Sequence, residues 1–277
     1  MLSAQTIAPV FSYRMLPTLF ISHGGGPWPW LDGPFRRHFD VLERSLAETA
    51  HAVGRPKAIL AISGHWEEPQ FTVMSGEKPP MIYDYSGFPE HTYGVKYAAP
   101  GSPQVAARVR ELLRGAGIEA REDSRRGFDH GTYTPLAVMY PDAGVPVLQL
   151  SLKEGYDPGE HLAAGRALAP LRDEEVLVMA SGLSYHNLRQ FGPGARTASK
   201  AFDEWLTQTL VRSAPRERVE RLLQWTNAPA ARQAHPQEDH LVPLMVAVGA
   251  AENDRAEVIY HQDDLMGGVA ASSYRFG

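Results

Sequence analysis

The chain has 277 residues, 43% of them hydrophobic, and a formal charge of -5 with acidic and basic residues interspersed. That length can bury a sizeable core as one large domain, no Ser/Gly-rich or charge-run linker divides it, and the charge leaves no electrostatic footprint for nucleic acid or an anionic membrane. Cysteine is absent, which excludes disulfides, thiolate metal sites and a cysteine nucleophile, so any metal must bind through His, Asp or Glu.

The opening MLSAQTIAPVFSYRM lacks the basic segment and apolar stretch of a signal peptide, and no window reaches the roughly 18 apolar residues of a spanning helix. It reads as a loose arm over residues 1–15, leading into one domain over 16–277 of a soluble, cytoplasmic protein. In chain order the pattern then predicts a strand at 16–22, a helix at 35–50, strands at 58–63 and 71–74, and helices at 103–114 and 132–139. A strand at 145–151, a helix at 160–171, a strand at 176–181, helices at 198–211, 216–225 and 241–251, and a strand at 257–261 complete the series. The helix at 103 is well signalled: Ser102 can cap it, Pro103 suits its first position, and Gly115 or Gly117 can end it. Such alternation implies a single α/β domain, with a mostly parallel or mixed central sheet and helices on both faces.

Three of these strands stop in the same manner, in ISHGGG, ISGHWEEP and VMASGLSYHN. Ligands of open α/β sheets collect outside the carboxyl ends of the strands, so His23, His65 and His186 could meet there. Behind His23, the glycines 24–26 leave room for a ligand or another backbone. A phosphate-cradling loop is the alternative, but no Lys-Ser or Lys-Thr follows, and Pro27-Trp28-Pro29-Trp30 obstructs the helix that a dinucleotide fingerprint needs. His65 repeats the arrangement beside Trp66, a wall for a flat substrate; alone it would read as a core histidine satisfied by backbone.

Other histidines are weighed the same way. His38 and His51 lie among charged neighbours and read as solvated, whereas His161 and His261 read as structural or surface residues. His235 and His240 stand in AHPQEDHLVPLMVAVG. A helix beginning near Pro236 would put His240 in its early turns, where the dipole favours the neutral, metal-binding imidazole. Pro243 offers a later start instead, and Glu238 and Asp239 are either oxygen ligands or acids complementing the dipole. His130, in RRGFDHGTYTPL, and His186, in LSYHNL beside Tyr185 and Asn187, would be inert if alone and gain meaning only as members of a set.

The succession PTLFISHGG, AILAISGHWEEP, PPMIYDYSGFPEHTYGVKYAAPGSP, RGFDHGTYTPLAVMYPDAGVPVLQLSL, ASGLSYHNLR and QEDHLVPLMVAVGAA closely resembles the class III extradiol ring-cleavage dioxygenases, and within them the 4,5-DOPA dioxygenase branch. The similarity runs in order from Pro17 to the C-terminus. It implies one catalytic domain with a single non-haem divalent metal, ferrous iron for ring cleavage, although zinc could fill an all-histidine site. Carried over by motif, the metal ligands are His23, His65 and His240. His186 matches a residue described as a fourth ligand or as the acid/base, and His130 a histidine that contacts substrate. Trp66, Tyr185 and Asp129 are weaker candidates for substrate contact, and the His91 region for shaping the pocket. Many class III enzymes have a glutamate as third ligand where this chain has histidine, which leaves the charge and metal preference of the site open. The implied partners are a small aromatic diol and O2. Two rivals stand beside this reading: a zinc-dependent hydrolase with Glu238 or Asp239 as base, and a binding protein that kept the fold and lost catalysis.

Overall fold

The run AILAIS, Ala58–Ser63, is buried at every position, as a strand covered on both faces must be. It lies in a computed structural model that describes residues 15–277, so the expected N-terminal arm falls, but for Met15, outside the described residues. The strands are β1 (Thr18–Ser22), β2 (Ala58–Ser63), β3 (Glu67–Glu68), β4 (Thr72–Met74), β5 (Arg121–Asp123), β6 (Val147–Gln149), β7 (Leu152–Lys153), β8 (Val176–Gly182), β9 (Ala256–Leu265) and β10 (Val269–Phe276). The helices are α1 (Gly33–Arg37), α2 (Asp40–Val53), α3 (Pro103–Gly115), α4 (His130–Met139), α5 (Pro158–Leu168), α6 (Arg196–Thr207), α7 (Pro215–Leu223), α8 (Ala231–Ala234) and α9 (Pro243–Ala250).

The main sheet runs β6-β2-β8-β1-β10-β9. Its first four strands are parallel, with Ile59 opposite Val147, Ala58 opposite Val176 and Thr18 opposite Val178. The last two are added antiparallel, with Thr18 opposite Phe276, so the sheet is mixed. Its two faces can be told apart by parity. Thr18 Oγ1 donates to Ala247 O of α9, while Ser181 Oγ donates to Gly131 O of α4. Val178, level with Thr18, and Ser181 are three residues apart and project to opposite faces, so α9 and α4 cover opposite sides. Nearly every apolar side chain of β1, β2 and β8 is sealed between those layers. No helix among the described residues is long and apolar enough to cross a membrane.

Of the two starts left open for the last helix, α9 takes the later one at Pro243, since proline suits the first turn of a helix and disrupts its interior. Three sequence expectations need correction. The helix expected at 35–50 is two, because the chain breaks at His38 and turns Phe39 onto Trp28, ring centroids 5.2 Å apart. The helix expected to reach 211 closes in a π turn at Gln208–Arg212. Strand β10 was not expected at all, because VAASSYRF lacks an apolar run; its serines are buried, and Ser273 Oγ accepts from Ser22 N at 2.8 Å. The cap at Ser102 is as expected, its side chain accepting from Val105 N at 3.3 Å.

Candidate metal centre and active-site cavity

Adjacent parallel strands β2, β8 and β1 end at the same edge of the sheet, and the chain leaves each of them toward one cavity of about 550 Å³. His23 directly follows β1, and its N–H donates to Gly182 O, the last residue of β8, at 3.2 Å. His65 follows β2 after Gly64, whose N–H donates to Ser181 O at 3.0 Å. His240 sits in the turn before α9, and its carbonyl accepts from Leu183 N at 3.1 Å. A Cβ on Gly182 would lie 2.1 Å from that carbonyl, so only glycine lets the turn dock against the strand end. His186 is tied by its N–H to Ala234 O at 2.9 Å, and His130 opens α4 behind the Asp129 cap. All five histidines line the cavity.

Their nitrogens converge. His65 Nε2 is 3.3 Å from His23 Nε2 and 3.2 Å from His240 Nε2. The outward nitrogens of two of these rings are engaged by carboxylates: His240 Nδ1 donates to Asp239 Oδ2 at 2.7 Å, and His65 Nδ1 lies 3.3 Å from Asp84 Oδ2. Those contacts place the ring protons on Nδ1 and leave Nε2 as lone pairs aimed at a shared point. Facing lone pairs repel, and a cation between them relieves all at once; the donor set therefore fits a metal ion, and its outer carboxylates are the kind that orient metal-binding imidazoles. His23 Nδ1 is buried with no hydrogen-bond partner among the described residues. The cavity residues also form two separate groups that could each hold an ion, His23 with His65 and His130, and His186 with Asp239 and His240, and the shortest nitrogen contacts, His65 to His23 and to His240, run between imidazoles of both.

Burial, reinforced by neighbouring imidazoles, holds His23 and His240 well below the ordinary histidine pKa. Burial likewise lowers His65 to about 4, helped by His130 and opposed by Asp129 and Asp84. His186 is lowered to about 4 by burial against the opposing pull of Asp239. Four of the rings are thus neutral near pH 7, the form that binds metal or accepts a proton. His186 stacks on His240 with ring centroids 3.4 Å apart, its Nδ1 4.0 Å from Asp239 Oδ2.

One important residue was missed from the sequence. Asp84 reaches the cavity from an irregular loop, and its Oδ1 accepts from His130 Nδ1 at 2.9 Å and from His130 N at 3.0 Å while Oδ2 faces His65. Burial pushes its pKa up, but the hydrogen bond and charge of His130 outweigh that and bring it to about 2. Nothing in the spacing of YDYSGFPEH marks this aspartate, because no strand or helix period carries it. The glycines after His23 line the cavity and also make room for protein side chains. Gly24 and Gly26 adopt φ of 81° and 54°, and a Cβ on them would meet the Trp28 indole at 2.4 Å and the Phe88 ring at 2.6 Å. Their missing side chains accommodate protein rings, with Trp28 Nε1 donating to His23 O at 2.9 Å.

Other candidates lie outside the cavity lining. Asp129 is fully buried and consumed by four donors: Ser63 Oγ, Thr132 N, Arg126 Nη2 and Gln149 Nε2. Trp66 is buried under the Arg126 guanidinium, 4.8 Å from its ring, and donates to Glu68. Tyr185 is fully buried and donates to Gln190 O at 2.9 Å. Glu238 pairs with Arg232 at 2.6 Å, His91 is exposed and bonded to Trp30 O, and His235 is a core residue bonded to Ser184 O. His161 is buried, accepting from Lys153 N. A larger cleft of about 820 Å³, beside Arg218 and Gly277, holds no histidine.

The model of the catalytic LigB subunit of aromatic ring-opening dioxygenases matches residues 17–277. The chain belongs to the LigB family. It is an aromatic ring-opening dioxygenase, as the motif resemblance implied. This LigB chain is 40% identical over 267 residues to the 4,5-DOPA dioxygenase extradiol of Beta vulgaris, covering 94% of this chain and 96% of the relative. It is 32% identical over 272 residues to the 4,5-DOPA dioxygenase extradiol of Escherichia coli (strain K12), covering 97% of each. The solved structure of an uncharacterized protein from Escherichia coli K12 superposes with a TM-score of 0.76 at 31% identity, covering 95% of the LigB chain and all of the other.

Proposed function

We propose that this chain opens a catechol-type aromatic diol beside its two hydroxyls, with both atoms of O2 entering the product, at one divalent metal held by His23, His65 and His240. The convergence of three Nε2 atoms at 3.2 and 3.3 Å carries the reading. When bound, a redox-active ion such as Fe(II) would supply chelation of the diol and a route for electrons to O2, which zinc could not. Catechol must lose protons as it binds, and His186, neutral and stacked beside the triad, is the group to take one and later return it. His130 spends Nδ1 on Asp84, which leaves Nε2 to hydrogen-bond the substrate. The largely apolar walls lower the local dielectric around these polar groups, which strengthens their interactions relative to bulk water. The similarity to relatives named 4,5-DOPA dioxygenase extradiol supports a single-ring catechol as substrate. A cysteine-free chain is compatible with a reducing cytoplasm.

The hydrolase reading is less well supported, because both of its candidate bases are engaged, Glu238 by Arg232 and Asp239 by His240. Five histidines gathered around one cavity favour catalysis over a binding role. After anaerobic loading with Fe(II), admission of air with a panel of catechol, DOPA and protocatechuate should give O2 uptake and a yellow semialdehyde with at least one member of the panel, whereas the zinc form should consume none. Ester or amide hydrolysis by the zinc form, without O2 uptake by the iron form on any diol, would overturn the proposal.

A further inference from the structure

We infer that the cavity selects catechols whose ring substituent is uncharged and apolar, and discriminates against those carrying a carboxylate; this rests on the ring-opening reading above. The cavity floor holds the five histidines with the carboxylates of Asp84 and Asp239, and a ring seated with its diol there directs its substituent toward the walls. Those walls are hydrocarbon. Phe35, Phe39 and Phe88 form one cluster, with ring centroids 5.4 and 6.0 Å apart, and Leu188, Phe191 and Met266 supply the rest of the mouth. Leu188 is 73% exposed, an apolar side chain left largely uncovered by the described residues.

No lysine or arginine lines the cavity among the described residues. The nearby cations are committed or turned elsewhere: Arg36 pairs with Asp40 and Glu43, and Arg126 pairs with Asp129 and lies over the Trp66 ring. Arg189 follows Leu188 in an exposed segment and is absent from the lining. A substrate carboxylate directed at these walls would therefore lose its hydration against phenyl rings with no lysine or arginine beside it to replace it. An alkyl substituent instead gains about fourfold in affinity for each methylene it buries.

The test compares 3-(3,4-dihydroxyphenyl)propanoate, its methyl ester and 4-propylcatechol, which present the same diol on similar frames. Their affinities for the full-length, zinc-loaded chain, which cannot turn over, are measured by titration calorimetry. The ester and the alkylcatechol should bind at least about tenfold more tightly than the acid. A preference below about threefold, or one for the acid, would overturn the inference and leave the ring-opening reading standing. Leu188→Arg, at an exposed position, should raise affinity for the acid by about tenfold with no gain for the ester. Arg189→Ala should leave all three affinities unchanged; selective loss of acid binding would identify Arg189 as a carboxylate partner and overturn the inference. Binding of none of the three, together with no O2 uptake by the iron form, would instead remove the catechol reading and this inference with it.

Discussion

Asp84 is the residue on which two functions meet, since one carboxylate holds both the ring of His65 and the ring and backbone of His130. Replacing Asp84 with alanine frees His65 to rotate, and metal affinity, measured by competition with a chromophoric chelator, should fall about 10–100-fold. Asp84→Asn keeps an acceptor for His130 and should lose less; equal affinity in wild type and Asp84→Ala would show that the contact does not orient a ligand. His186 makes a separable prediction. His186→Ala should lower turnover by roughly a hundredfold or more with metal content close to normal, and parallel loss of metal would make it a ligand instead. The depressed histidines also set a pH dependence. In the unfolded chain His65 and His186 titrate near 6.5 and in the folded chain near about 4, so between those values the unfolded state binds more protons. The metal-free protein should therefore keep its full stability above pH 6.5 and lose it as the pH falls toward 4, seen as a falling urea midpoint. A midpoint constant over that range would show that these rings are not buried as neutral bases.

At the scale of elements, what the sequence made readable is the way strands deliver histidines. The parallel strands are short apolar runs with clear stops, and β2 was expected at 58–63, the residues it occupies. Strand β10 escaped because its buried positions include serines held in hydrogen bonds, Ser273 Oγ accepting from Ser22 N and Ser272 N donating to Ser184 Oγ, so polarity there does not mean exposure. Asp84 escaped for a related reason, lying in a loop tied down by contacts distant in sequence, such as Ile82 N to Phe128 O and Tyr133 OH to Tyr85 OH. Trp66, Tyr185 and Asp129 looked like site residues because they adjoin site histidines in sequence, yet each is buried outside the cavity lining and engaged elsewhere, Trp66 by Arg126 and Glu68, Tyr185 by Gln190 O and Asp129 by four donors. The joint between β8 and the His240 turn yields its own prediction. Gly182→Ala forces a methyl group against the His240 carbonyl and should cost about 1–3 kcal/mol in a denaturation experiment. It should also weaken metal binding, because His240 must move; unchanged stability would show that the turn has room to give.

For the molecule as a whole, strand order matters more than any one motif. With β8 between β2 and β1, residues 23, 65 and 183–186 leave one edge of the sheet side by side, and the Leu183 N to His240 O bond brings the turn before α9 to the same edge. Histidines separated by as many as 217 positions thereby share a cavity, a proximity that no local pattern could announce and that the ordered family motifs made readable. The most direct test of this account is an anomalous-scattering map of crystals loaded with ferrous iron. It should show one strong peak about 2 Å from the Nε2 atoms of His23, His65 and His240 together. A stoichiometric peak elsewhere, or one ligated by fewer than two of those rings, would contradict it.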